Sequence, residues 1–149
     1  YKADAIPSVS RDGAQINVII GDAYGVESPV RSESKTLYVE LKLDADTALA
    51  LPEAEELAAF VVSGDVDIEG ARVEPGHLAV LEPGDATLHS ATESHIMLVG
   101  GDRLEGERIV WWNFVSSSRE RLEKAKDDWR SGRFDMVPGE TDFIPLPDT

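Results

Sequence analysis

The side chains best suited to chemistry in this sequence are three histidines, one acidic cluster and one run of serines. His77, His89 and His95 stand twelve and six residues apart (89 minus 77, 95 minus 89). A mononuclear iron, copper or nickel centre needs several imidazole or carboxylate donors aimed at one point. These spacings put the three on separate strands or turns with no ligand motif among them, so they read as surface or turn histidines. Glu53, Glu55 and Glu56 follow Pro52. Paired carboxylates do acid–base work when their surroundings split their pKa values, but this run reads as a solvated loop. Ser116 to Ser118 lacks the Gly-x-Ser-x-Gly elbow of a nucleophile and suits a helix cap instead. Gly21 to Gly25 lacks the spacing and the Lys-Ser/Thr of a phosphate loop. Trp111, Trp112 and Phe114 have the makings of a base-stacking platform, yet their surroundings favour packing.

Bulk properties narrow the choice. The chain has 149 residues, 42% of them apolar and 29% charged, enough for one domain with its own core. Its net charge of -15, from 14 basic and 29 acidic residues, repels phosphate backbones. Direct nucleic-acid binding is therefore not expected. No apolar run approaches the roughly 20 residues of a membrane span. With no cysteine, disulfides, Cys-ligated zinc and thiol catalysis are excluded. A cytoplasmic location is expected. The chain opens Tyr1-Lys2-Ala3 without a methionine, which suggests a start inside a longer product.

The elements that must position these residues are mostly strands. Ile16 to Ile20 is a short β-branched run. Thr36 to Leu43 alternates, with Leu37, Val39, Leu41 and Leu43 on one side and Thr36, Tyr38, Glu40 and Lys42 on the other, the period of a half-buried strand. Leu57–Ser63, Val66–Ile68, Leu78–Leu81, Ile96–Val99 and Ile109–Val115 continue the series, with Glu69-Gly70 as a hairpin turn. Tyr1 to Arg11 reads as a lead-in. The one helix comes late. Ser117 and Glu120 have capping-box spacing, Leu122, Ala125 and Trp129 form an apolar stripe, Glu120 and Lys124 can pair, and Gly132 is a stop. Phe134 to Thr149 carries three prolines and reads as an extended tail. Short strands with frequent turns and no intervening helices predict a sandwich or barrel.

Several stretches carry a family resemblance. Phe60-Val61-Val62-Ser63-Gly64-Asp65-Val66, then Val73 to Leu81, then Pro83-Gly84-Asp85 resemble the hairpin and turn of a cupin barrel. GDAYGVESPV (Gly21 to Val30), YVELKLD (Tyr38 to Asp44), the Ser63 to Leu81 region, WWNFVSSSRERLEKAKDDWRSGRF (Trp111 to Phe134) and VPGETDFIPLP (Val137 to Pro147) resemble pirin-like proteins. These are two-cupin proteins, and the likeness is to the second cupin and its tail. The implied fold is all-β, a cupin-type double-stranded β-barrel (jelly roll) with one C-terminal α-helix and an extended tail. The expected division is a metal-free barrel over 1–115 and a helix with Pro-rich tail over 116–149.

The resemblance also says where a metal would be held. In the family the first cupin binds one transition metal through three histidines and a glutamate, and some members are described as quercetin 2,3-dioxygenases. Others are described as redox-responsive transcriptional cofactors. Counting back from Gly64 puts the glutamate position at Leu57 and the histidine pair at Ala50 and Pro52, or at Leu51 and Glu53. Counting on from Gly84 puts the later histidine at Thr87, with His89 close by. No catalytic or metal-ligating residue is therefore assigned to this chain. Iron, copper or nickel is expected in an N-terminal cupin instead.

In two-cupin proteins the halves pack together, and terminal segments embrace the opposite half. Trp111, Trp112, Phe114, Leu122, Trp129, Phe143 and Ile144 are accordingly the interface candidates. The partner implied is the N-terminal cupin half of the same protein or a second copy. The function implied is a non-catalytic C-terminal half supporting a metal-binding N-terminal cupin. A small-molecule or protein-binding cupin module is the alternative, and independent catalysis comes third.

Overall fold

A computed structural model describes residues 1–147, so Asp148 and Thr149, the end of the expected tail, lie outside the described residues. The chain divides into two compact units, Tyr1–Arg103 and Leu104–Thr149. The division falls ahead of the expected 115/116 boundary. The reason is local: the aromatic hairpin before the helix pairs only with itself and packs its rings against helix residues.

The first unit opens with a single 3₁₀ turn, Ala3–Ala5, and holds twelve strands. They are β1 (Ser8–Arg11), β2 (Ala14–Ile20), β3 (Asp22–Ala23), β4 (Val26–Glu27), β5 (Thr36–Leu43), β6 (Thr47–Ala50), β7 (Glu56–Ser63), β8 (Val66–Ile68), β9 (Ala71–Val73), β10 (Leu78–Leu81), β11 (Thr87–Ser90) and β12 (Ser94–Gly101). Two larger antiparallel sheets result, a six-stranded one in the order β1-β2-β5-β12-β7-β10 and a four-stranded one in the order β6-β11-β8-β9, and β3 and β4 pair as a separate two-stranded ribbon. Their inner faces share one core, with Ile16, Val18, Val39, Leu41, Val61, Ile96 and Leu98 from the larger sheet and Leu49, Val66, Ile68 and Leu88 from the smaller. This is the cupin jelly roll, built as two facing sheets.

Local chemistry explains most of the elements. Thr36–Leu43 forms β5 as its alternation predicts, with Leu37, Val39, Leu41 and Leu43 buried. Glu69-Gly70 makes the expected turn, both residues at positive φ (52° and 81°), the pattern of a two-residue hairpin. The expected lead-in is different. Ser8–Arg11 is an edge strand paired to β2, because Asp12-Gly13 supplies another two-residue turn (φ 51° and 77°).

The second unit holds β13 (Ile109–Trp111), β14 (Phe114–Ser116) and α1 (Arg119–Arg130). The expected single strand Ile109–Val115 is thus a hairpin, folded back at Trp112-Asn113 so that Trp111 faces Phe114 across the ladder. Trp112 sits at φ 49°, a conformation bulky residues rarely adopt. Ser118, not Ser117, caps the helix, its hydroxyl accepting from the Arg121 N–H. Lys124 pairs with Asp128, which also takes Arg133, rather than with Glu120. Gly132, at φ 62°, ends the helix as expected. Among the described residues no helix is long and apolar enough to cross a membrane.

Candidate functional site

A cupin's chemistry lies between its two sheets, so the inward side chains of the ligand-bearing strands decide what this unit can hold. Strand β7 turns Leu57, Ala59 and Val61 inward and Glu56 and Phe60 outward. Leu57, the expected glutamate position, is only 8% exposed and belongs to the core. On β6 the alternation buries Leu49 and exposes Ala50, and Leu51 just beyond is buried again. On β11 it buries Leu88 and Ser90, with Thr87 half-buried and His89 exposed. Two of the counted positions, Ala50 and Thr87, thus lie on the outer side. Leu51, the alternative counted position, is buried, as are the neighbours Leu49 and Leu88, so leucines fill the interior there.

Among the described residues no inward polar group stands in for those donors. The buried polar side chains are Ser28, Thr47, Ser90 and Ser94. Each hydroxyl donates to a backbone carbonyl: Ser28 to Ile19 (2.6 Å), Thr47 to Gly13 (3.5 Å), Ser90 to Asp44 (2.9 Å) and Ser94 to Thr92 (2.8 Å). Such hydroxyls close turns and strand ends and are poor ligands for a divalent transition metal. The donor set of a cupin metal does not fit these residues.

The three histidines do not converge. His77 sits exposed in the turn before β10, its Nδ1 3.3 Å from the Pro75 carbonyl oxygen. His89 is on the outer face of the smaller sheet and His95 on the larger. Around His89 an open hollow of about 350 Å³ is edged by Asp46, Asp65 and Asp67. Asp67 accepts from the Gly70 N–H at 2.8 Å and Asp65 pairs with Arg72 at 3.1 Å, so these carboxylates have other work. Among the described residues no group of three or more His, Asp or Glu could hold a metal ion. Glu55 and Glu56, from the acidic cluster, both engage Arg103. Ser116 accepts from the Ser118 N–H, which keeps the serine run a cap.

One polar constellation was not legible as such. Glu40, Asn17, Lys42 and His95 meet on the outer face of the larger sheet because β2, β5 and β12 are adjacent. Asn17 Nδ2 donates to Glu40 Oε2 at 2.6 Å, and Lys42 Nζ lies 3.5 Å from Oε1. His95 Nε2 is 3.0 Å from the same oxygen but off the line of a hydrogen bond, and it makes no other. The outward alternation of Tyr38, Glu40 and Lys42 was a signal, but the neighbours needed the register. Above all the Asn17 hydrogen bond holds Glu40 below the usual carboxylate range; burial opposes it as the next largest effect, and the charges of Lys42 and His95 add to the lowering. A depressed folded-state pKa stabilises above the ordinary glutamate pKa and ceases to do so as pH falls through the folded value. Asn17→Ala should therefore cost about 1 kcal/mol near neutrality. In urea titrations the deficit should shrink as pH falls from about 6 toward about 3. A deficit independent of pH would assign it to packing.

The interface candidates are gathered in the second unit. Trp129 is the hub, with ring centroids 5.2 Å from Trp112, 6.2 Å from Phe114, 5.6 Å from Phe134 and 5.6 Å from Phe143. Trp111 stacks on Phe114 at 6.4 Å, and Lys126 Nζ lies 4.2 Å from the Trp111 ring centre. Trp129 Nε1 donates to the Ile144 carbonyl at 2.8 Å, tying the tail to the helix. Leu122 is buried within the chain itself, at 3% exposure, so it offers no surface to a partner. Phe143 and Ile144 are exposed. An open groove of about 510 Å³ runs between Trp111, Lys126, Trp129, Arg130, Phe143 and Pro145.

Comparison with known proteins bears on these features. Residues 36–135 match the Pirin C-terminal cupin domain. The chain is 39% identical over 148 residues to a pirin-like protein of Caulobacter vibrioides, covering 96% of this chain and 50% of that protein. It is 33% identical over 141 residues to pirin of Homo sapiens, covering 89% and 49%. A quercetin 2,3-dioxygenase structure from Acinetobacter baumannii superposes with a TM-score of 0.86 at 24% identity, over 97% of this chain and 50% of that one. At that identity the likeness shows the fold alone. The chain spans about half the length of the relatives it matches.

Proposed function

This chain belongs to the pirin family, matching its C-terminal cupin domain, and from that premise we propose that it serves as the non-catalytic half of a two-cupin protein. Its task is to support an N-terminal cupin that binds the transition metal, iron, copper or nickel. Any quercetin 2,3-dioxygenase-like activity of the whole protein would then be carried by the N-terminal half. One observation carries this reading: Leu49, Leu57 and Leu88 are buried on the strands where a cupin places its ligands, and Leu51 is buried just beyond β6. Four apolar side chains there stabilise the unit by packing and offer a metal no donor.

The test is elemental analysis of the purified chain together with dioxygen uptake in the presence of quercetin. The chain alone should carry no stoichiometric metal and consume no dioxygen. One tightly held metal per chain would overturn the reading, because it would require donors other than those the cupin pattern predicts.

A binding module is the second reading, favoured by the groove beside Trp111. Its walls are aromatic and its rim carries Lys126 and Arg130, a combination suited to a flat anionic molecule. A small molecule retained by the purified chain in native mass spectrometry would favour it.

A further inference from the structure

The end of the chain carries a peptide ligand, and the helix before it carries the receptor. Ile144 and Leu146 each precede a proline, which drives them toward extended backbone, and Pro145 and Pro147 hold their own φ at about -65°. Four consecutive residues are thus set in the polyproline conformation before they touch anything. That conformation leaves its carbonyls without internal partners. One of them is used: Trp129 Nε1 donates to the Ile144 carbonyl at 2.8 Å. Phe143 beside it stacks on the Trp129 ring, with centroids 5.6 Å apart and planes at 26°. Aromatic-lined grooves bind proline-rich segments in this way, because a preformed segment loses little entropy on docking.

The tail fills this groove poorly. Phe143 remains 53% exposed and Ile144 65%. About 510 Å³ stays open between Trp111, Lys126 and Arg130 on one wall and Pro145, Leu146 and Pro147 on the other. Residues 131–142, which join the helix to the tail, are exposed throughout. Among the described residues one hydrogen bond ties 141–147 to the helix. The charge around the groove is also unlike that of the whole chain. Residues 108–133 carry seven basic and four acidic side chains in a molecule at -15. Glu123 and Asp127 pair with Lys126 and Arg130. Arg119, two turns before Lys126 on the same helix face, has no ion pair among the described residues. Such a rim favours an acidic ligand, and the tail itself brings Glu140 and Asp142.

We infer that the groove between α1, β13 and the tail is a recognition site for an extended, acidic, proline-rich segment of a partner protein, and that the chain's own tail closes the site by occupying it. This rests on the second reading above, whose groove it takes and whose occupant it names, and it is independent of the structural-half reading. A tethered segment meets its own groove at an effective concentration of about millimolar. A second copy's tail has the same residues without the tether, and it brings another net charge of -15, so it loses that competition. A partner's segment displaces the tail through what the tail leaves unused: the open volume beside Trp111 and the unpaired Arg119.

The test titrates the chain with the synthetic peptide Glu-Thr-Asp-Phe-Ile-Pro-Leu-Pro, the sequence of residues 140–147. The readout is the indole N–H resonance of Trp129, assigned through Trp129→Phe. In Phe143→Ser/Pro145→Ser/Pro147→Ser the tail leaves the groove, so the resonance should shift, and the peptide should return it with saturation. The same peptide with its prolines replaced by alanine, or its acids by lysine, should bind at least about tenfold more weakly. The unsubstituted chain should also bind at least about tenfold more weakly, because its tail competes. No saturable response in the tail variant, or equal binding of either altered peptide, overturns the inference and leaves the structural-half reading intact. Should the variant lose its aromatic packing, the unsubstituted chain decides. Millimolar peptide should then free residues 143–147, read as faster backbone motion in NMR relaxation, and an unmoved tail overturns the inference. A small molecule retained in the groove with no peptide response keeps the second reading and overturns this one. A dimer at micromolar concentration that the tail variant abolishes gives the groove to a second copy and likewise overturns it.

Discussion

The Trp129→Ala chain is expected to lose the fixed packing of residues 104–147 while the sheets of residues 1–103 remain folded. Trp129 touches the rings of Trp112, Phe114, Phe134 and Phe143, and its indole N–H holds the Ile144 carbonyl. Truncating a tryptophan with this many neighbours costs about 3–5 kcal/mol, and the edge-to-face and stacked pairs add to simple area burial. The second unit is small, with one twelve-residue helix and one short hairpin as its regular elements. An isolated helix of that length is marginal in water, so removal of the hub should unfold the hairpin, helix and tail contacts together. The near-UV circular dichroism of the aromatic cluster should collapse, and hydrogen exchange should quicken in β14 and α1 but not in β5 or β12. Trp129→Phe should keep most of the ring contacts and lose chiefly the bond to Ile144. An unchanged near-UV spectrum in the alanine variant would mean that the cluster is held by something other than Trp129.

The larger sheet was readable because its signals are local. In β5, burial follows the alternation of Thr36–Leu43 residue by residue. The hairpin at Trp112-Asn113 was not readable. Ile-Val-Trp-Trp-Asn-Phe-Val looks like one uninterrupted apolar strand, and a tryptophan at positive φ gives none of the Gly or Asp signal that marked Glu69-Gly70. β1 failed for the opposite reason. Its polar residues show no core face, and only the Asp12-Gly13 turn hinted that the segment folds back on β2.

The candidate site was readable in kind but not in register. Leu57 faces inward, as a ligand position would, on a β7 that runs without interruption to Ser63. Of the two spacings offered at β6, one lands on exposed Ala50 and the other on buried Leu51, and on β11 the count lands on half-buried Thr87 beside buried Leu88. Fixed spacings measure distance along the chain, while the side of a sheet is set by pairing to the neighbouring strand. The outer face was hidden for a related reason. Phe60, Leu78 and Val80 read as strand residues of a core, and only the sheet order puts them together with nothing charged between. The polarity of individual residues cannot distinguish a buried face from an exposed apolar one.

Leu57→Glu puts the structural-half reading to its hardest physical test, because it restores the carboxylate a cupin ligand set would use. If the interior is committed to packing, the variant loses the burial of a leucine and gains a carboxyl with no partner, a penalty of about 3–5 kcal/mol at pH 7. Desolvation would hold the introduced carboxyl above its ordinary pKa of about 4.3. A raised folded-state pKa means that the folded chain binds the proton more tightly than the unfolded one. The penalty should therefore ease as pH falls toward the unfolded value and grow as pH rises. Leu57→Met, which conserves volume and polarity, should cost less than about 1.5 kcal/mol. Urea unfolding at pH 5 and pH 8 separates the cases. A loss below about 1 kcal/mol for the glutamate variant, unchanged with pH, would show that the position has water or polar company. The interior would then be able to take a ligand set after all, and the claim that this half is closed to metal would fall with it.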